Sequence, residues 1–180
     1  MPELPEVETT IRGLKPLLGL AIFNVKIHTP KLRIFIPKNI TLIKTGVKIQ
    51  EIKRVGKFII FHLSNKYCIV IHLGMSGRLQ IINLKGFIKK THDHFILRTN
   101  KEYLLVYNDP RKFGLIDYDT FEKIYARAYI LNLGKEALSK SLNGHWLFSK
   151  ISKTSVPIKQ ILLDQSIIAG IGNIYASEIL

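Results

Sequence analysis

The chain has 180 residues, 27 Lys and Arg against 13 Asp and Glu, a net charge of +14 and 47% hydrophobic residues. That length and apolar content imply a folded protein with one large core or two small ones, and exclude a disordered basic tail. No run approaches the ~20 apolar residues of a membrane span, and the acidic start is unlike a basic signal peptide.

The positive charge is regional. Residues 9–90 hold 16 basic side chains and one acid, Glu51, while the remainder is nearly neutral. Such a field attracts a polyanion, and nucleic acid is the expected partner; no strongly basic amphipathic helix suggests a membrane surface. The single cysteine, Cys68, lies in an apolar run. It excludes an internal disulfide and a four-cysteine metal site, and fits a reducing, cytoplasmic setting.

In chain order, Pro5 suits the first turn of a helix and Glu6 and Glu8 suit its positive end. Val7, Ile11, Leu14 and Leu18 recur at helical spacing, and Pro16 with Gly19 marks the stop. The period then changes. Residues 21–29, 33–37, 47–54, 57–63, 67–73, 78–83, 94–98, 103–107 and 113–118 read as strands, with Asn65-Lys66 and Asn100-Lys101 as hairpin turns. So many short strands imply an antiparallel sandwich or barrel. Residues 121–131 read as a helix, and Gly134, Gly144 and the Ser/Lys stretch 149–155 punctuate the chain after it. Residues 157–164 form a short helix with Ile158, Ile161 and Leu162 inward. Gly170 and Gly172 then turn the chain before Asn173 caps a helix over 174–180. Two glycines before a helix N-terminus suit an anion such as phosphate, although taken alone an ordinary turn explains them better. The fold class expected is α+β: a β-sandwich with its N-terminal helix over residues 1–130, then a helix–two-turns–helix region over 131–180.

The chemistry is expected at the start of the chain. Once Met1 is removed, Pro2 presents a secondary amine, and terminal amines titrate near pH ~7.7–8.0, so a nucleophilic fraction exists at neutral pH. Such an amine can attack an electrophilic sugar or carbonyl carbon and form an imine-type intermediate, with Glu3 beside it to move protons. A solvated helix start is the plain alternative.

Six motifs decide between them: Met1-Pro-Glu-Leu-Pro-Glu-Val-Glu-Thr9, Val55-Gly-Lys57, His72-Leu-Gly-Met-Ser-Gly77, His92-Asp-His94, Asp109-Pro-Arg-Lys-Phe-Gly114, and Leu163-Asp-Gln165 through Ala169-Gly-Ile-Gly-Asn-Ile-Tyr-Ala-Ser-Glu178. In this order and over the whole chain they resemble the formamidopyrimidine-DNA glycosylase family. The resemblance implies a monomeric base-excision enzyme acting on double-stranded DNA with oxidised purines or abasic sites. Pro2 would attack C1′ and form a Schiff base, Glu3 would assist proton transfer at the sugar, and Lys57 would engage a phosphate beside the lesion. Met75, Arg111 and Phe113 would fill the hole left by the extracted base, where apolar wedges and a planar guanidinium suit the task. His72, His92 and Asn173 would complete the DNA contacts. His72, Met75 and Phe113 also fit core roles. His92 and His94 have too few companions for a metal.

The family's zinc finger, with its four cysteines, lies past the final helix. The resemblance therefore implies a chain stopping short of it, without a cofactor of its own. In addition, Gly134-Lys-Glu-Ala137 stands where the family commonly has Gly-Pro-Glu-Pro. Competing readings are a silent DNA-binding remnant, a proline-based tautomerase and the pyrimidine-directed relative endonuclease VIII. A tautomerase would start with a strand, and Leu4-Pro5 with the Arg111-Lys-Phe113 loop favours the purine-directed branch over endonuclease VIII.

Overall fold

The computed structural model describes residues 2–152 and 154–180; the expected removal of Met1 therefore falls outside the described residues. Helix α1 (Leu4–Leu14) has Pro5 in its first turn and buries Leu4, Val7, Ile11 and Leu14. The chain then tightens into a 3-10 turn over Lys15–Leu17. A 3-10 turn brings i and i+3 into line. Leu17, not the expected Leu18, is therefore the next buried residue.

The strands that follow are β1 (Ile22–Ile27), β2 (Ile49–Val55), β3 (Phe58–Leu63), β4 (Tyr67–His72), β5 (Arg78–Asn83), β6 (Asp93–Thr99), β7 (Tyr103–Asn108) and β8 (Leu115–Thr120). They form two four-stranded antiparallel sheets, in the orders β1-β6-β7-β5 and β2-β3-β4-β8. Ile22, Phe61, Ile69, Phe95, Leu97, Tyr107 and Ile116 meet between the sheets in the main core. The other face of the second sheet, with Phe58, Ile60, Cys68 and Val70, is covered by Ile124 and Ile130. β3 is buried on both faces, which explains its continuous apolar run without alternation.

Several expected elements change. Residues 33–37 are not a strand: Lys31 and Phe35 form an isolated bridge, and Leu32 and Ile36 drop into the core. Pro30 and Pro37 lack the N–H a ladder requires. The helix expected over 121–131 is two, α2 (Phe121–Tyr125) and α3 (Ala128–Leu131). Arg127 interrupts them with extended backbone, its Nε 3.1 Å from Asp117 and its Nη2 3.1 Å from Asp119. The last strand starts at Leu115 rather than Phe113, which leaves Phe113 in an exposed loop.

Beyond α3, the parallel pair β9 (Lys135–Glu136) and β10 (Ile168–Ala169) frames α4 (Gly144–Ile151) and α5 (Ile158–Leu163), and α6 (Asn173–Ile179) follows. α4 occupies a stretch expected to be punctuated loop; the Asn143 side chain caps it by accepting the Trp146 N–H at 2.9 Å. Gly172 takes the capping position expected of Asn173, which is the first helical residue. Among the described residues, no helix is long and apolar enough to cross a membrane.

Candidate functional site

The first residues of α1 are fastened to the start of α6. Glu3 is almost completely buried, at 1% exposure. Its carboxylate accepts the N–H groups of Gly172 at 2.9 Å, Ile174 at 2.7 Å and Tyr175 at 3.2 Å. The Glu3 N–H donates to Glu6 Oε2 at 3.0 Å, and the Leu4 N–H to the Gly170 carbonyl at 3.1 Å. The anion at this helix end is thus the protein's own carboxylate, which neutralises the positive end of the helix. A Cβ on Gly172 would stand 2.6 Å from Glu3 Oε1, so the close approach requires glycine. The Gly-Ile-Gly stretch, expected as a phosphate cradle or a plain turn, serves as the dock for Glu3.

Lys57 belongs to the same junction. It is buried, and its Nζ donates to the Ile171 carbonyl at 2.7 Å. Gln165 Nε2 donates to that carbonyl as well, at 2.8 Å, and Gln165 Oε1 accepts the Gly170 N–H. Burial lowers the Lys57 ammonium from its ordinary pKa, and the nearby Glu3 charge acts in the opposite direction. One more clamp closes the junction. Arg54 reaches Glu8, the Gly56 carbonyl and Glu136 Oε2, the last at 2.6 Å, while Glu136 Oε1 accepts the Gly56 N–H. The glutamate of Gly134-Lys-Glu-Ala137 therefore holds the turn that presents Lys57.

Pro2 lies on the wall of an open cavity of about 720 Å³ with Glu6, Thr10, Met75, Ser76, Arg78 and Asn108. Met75 also lines a second cavity, of about 520 Å³, with Leu32, Arg33, His72, Arg111, Lys112 and Phe113. Met75 and Phe113 are 45% and 46% exposed, so neither is a core residue. The Arg111 guanidinium stacks over the Phe113 ring with its Cζ 4.6 Å from the centroid.

These side chains stand on two loops bolted together by Asp109, which is fully buried. Its carboxylate accepts from Ser76 Oγ at 2.5 Å, Tyr107 OH at 3.1 Å and Gly114 N–H at 2.9 Å. Ser76 Oγ in turn accepts the Arg111 N–H at 3.2 Å. Gly74 completes the contact: its φ is +62°, and a Cβ there would meet Gly114 N at 2.6 Å. In the sequence, Asp109, Ser76 and Gln165 stand inside motifs without roles of their own, and Arg33 and Arg54 go unnoticed. Glu136 stands in Gly134-Lys-Glu-Ala137, where the family-like glutamate between two departures is the one local signal.

His72 joins the second cavity as a neutral ring. Its Nδ1 accepts the Gly74 N–H at 3.0 Å, which places the proton on Nε2. Burial foremost, then Arg33 and Lys57, pushes its pKa down to about 4. It can offer a hydrogen bond to phosphate but no charge. His92 and Asn173 are exposed and line neither cavity. His94 is buried, its Nε2–H donating to the Asp109 carbonyl at 2.8 Å and its Nδ1 paired with the Thr29 hydroxyl.

The four-cysteine zinc site of the resemblance does not fit the residues present. Cys68 is the chain's one cysteine, and burial pushes its thiol up to about 11. Among the described residues, no three His, Cys, Asp or Glu side chains gather as metal ligands.

Comparison with known proteins agrees with this geometry. The family model for the formamidopyrimidine-DNA glycosylase N-terminal domain matches residues 1–116, and that for the H2TH domain of the same enzymes matches residues 133–180. The chain is 44% identical to the formamidopyrimidine-DNA glycosylase of Zymomonas mobilis, over all of its length and 66% of the relative's. It is 43% identical to that of Legionella pneumophila strain Lens, over 99% of its length and 64% of the relative's. It thus spans about two thirds of the curated relatives it matches. Among solved structures, it is similar to Lactococcus lactis Fpg in complex with abasic-site DNA, with a TM-score of 0.87 and 31% identity over 99% of this chain and 65% of that one. A complex of the same protein with DNA containing an oxidised pyrimidine gives 0.90 and 30%, over 99% of this chain and 67% of that one.

Proposed function

The chain belongs to the formamidopyrimidine-DNA glycosylase family, and we propose that it is a bifunctional DNA glycosylase and lyase that excises oxidised purines from double-stranded DNA. The observation that carries this is the place of Pro2, on the wall of a cavity that shares Met75 with the cavity of Arg111 and Phe113. A nucleophile beside the damaged nucleotide and side chains able to occupy its vacated stack are thereby adjacent.

The residues have separable tasks. After loss of Met1, the Pro2 nitrogen forms a bond to C1′, and the C1′–base bond breaks with its electron pair leaving on the base, which takes up a proton. Opening of the sugar ring yields an iminium on Pro2. Loss of a C2′ proton then expels the 3′ phosphate, and a second elimination expels the 5′ phosphate. Glu3, adjacent to Pro2, is held with both oxygens in a row of N–H donors and would assist proton transfer at the ring oxygen. Lys57, His72, His92 and Asn173 are proposed as DNA contacts, Lys57 acting at a phosphate beside the lesion and His72 through its Nε2–H. The monomeric state and the cytoplasmic setting belong to the same proposal.

Borohydride reduction of the Met1-processed protein with duplex DNA carrying 8-oxoguanine or an abasic site should trap a covalent adduct and be accompanied by strand cleavage. Absence of an adduct, under conditions where a full-length relative gives one, overturns catalysis by this chain. The second reading, a silent DNA-binding protein, rests on the 16 basic residues within 9–90; salt-dependent duplex binding without trapping would support it. The tautomerase reading has lost its basis, because the chain enters α1 at Leu4 and not a strand.

A further inference from the structure

The outer face of the β1-β6-β7-β5 sheet points away from the core, and one end of it is basic. Alternation along β1 turns Val25 inward and leaves Asn24, Lys26 and His28 together on the outer face. The register sets Asn24 opposite Arg98 and Lys26 opposite Ile96, and on the next strand Leu104 opposite Arg98. The loop after β5 folds over this face. Phe87 packs against the buried patch of Ile96, Leu104 and Val106, and Lys89 follows it. A pocket of about 260 Å³ remains, lined by Asn24, Lys26, His28, Lys89 and Arg98 on the polar side and Leu84, Phe87, Ile96 and Leu104 on the apolar side.

Three features mark the pocket as a binding site rather than a wrinkle. No acidic residue lines it. Asp93, whose charge reaches His28, is already held by the Lys90 N–H at 2.7 Å and Asn108 Nδ2 at 2.8 Å. Among the described residues, Arg98 Nε is the buried side-chain nitrogen or oxygen without a hydrogen-bond partner. A buried donor left unpaired is unfavourable, and a ligand oxygen would satisfy it. Burial first, then Lys89 and Lys26, also lowers the pKa of His28, against a weaker opposing pull from Asp93.

We propose that this pocket binds a small organic phosphate of the nucleoside monophosphate class. The phosphate would sit among Lys26, Lys89 and Arg98, and the ring against Phe87, Ile96 and Leu104. Its volume of about 260 Å³ falls just below the roughly 300 Å³ at which small-molecule sites usually begin, so it suits a single small phosphate ester partly open to solvent rather than a strand. None of these residues lines the Pro2 or Phe113 cavities, so the proposal stands apart from the glycosylase reading.

Titration of the full chain with deoxyadenosine monophosphate, followed by amide NMR, tests it. Saturable shifts are expected at Asn24, Lys26, Arg98 and Leu104, with weaker binding of both adenosine and inorganic phosphate. The double variant Lys26→Ala with Lys89→Ala, both exposed and outside the core, should lose affinity by about tenfold or more while keeping its spectrum and melting temperature. Shifts confined to Pro2, Met75 and Arg111, equal binding of inorganic phosphate, or no shift at millimolar nucleotide would each overturn the assignment.

Discussion

At the scale of single residues, the decisive contact joins opposite ends of the chain: the Glu3 carboxylate in the N–H groups of Gly172, Ile174 and Tyr175. Glu3→Gln preserves size but replaces an acceptor with an N–H₂ group facing donors, and should lower stability by about 2 kcal/mol or more. Gly172→Ala presses a methyl into the same carboxylate. It should lower stability by roughly 1–3 kcal/mol, as an overpacked site does, and reduce Pro2 adduct yield together with melting temperature. His72 yields a pH prediction. Its folded pKa of about 4 lies below the ordinary 6.5. Its stabilising contribution is complete above about pH 6.5 and is lost as pH falls towards 4, up to about 3 kcal/mol. Urea unfolding of wild type and His72→Gln across that window should show a shallower acid loss in the variant; parallel curves would contradict the buried neutral ring.

At the scale of elements, the two loops after β4 and β7 behave as one unit because Asp109 binds both. Asp109→Asn leaves Ser76 Oγ or Gly114 N–H poorly satisfied, and should cost about 1–3 kcal/mol. It should also weaken lesion-duplex binding more than binding to undamaged duplex, measured by fluorescence anisotropy; an equal loss on both would detach these loops from lesion recognition. Much at this level was legible in sequence. Short apolar, β-branched runs separated by Asn-Lys turns disclosed the sandwich strands, most of which are buried along nearly their whole length. Residues 33–37 misled because Leu32 and Ile36 are core residues reached by an irregular loop between prolines, not by a pleated strand. α4 stayed hidden because none of its residues is buried and Gly144 reads as a break. The motifs brought Pro2, Met75, Arg111 and Phe113 to notice, but nothing local revealed that Lys57 binds the Ile171 carbonyl across 114 residues. Long-range polar pairing leaves no periodicity.

At the scale of the whole molecule, Arg54 and Glu136 join α1, the Gly56 turn and β9, so the sandwich and the helical region meet through a half-buried ion pair. Arg54→Ala would leave the partly solvated Glu136 charge without its cation and should lower stability by about 1–3 kcal/mol. The basic field over residues 9–90 predicts duplex affinity that falls with salt at a slope of about 0.9 per phosphate contacted. The proposed catalysis depends on one nitrogen. Borohydride-reduced protein–DNA adduct, digested and sequenced by mass spectrometry, should carry the sugar remnant on an N-terminal peptide beginning at Pro2. A remnant on Lys57 or any other lysine, or an unmodified Pro2 peptide in an otherwise trapped complex, would contradict it.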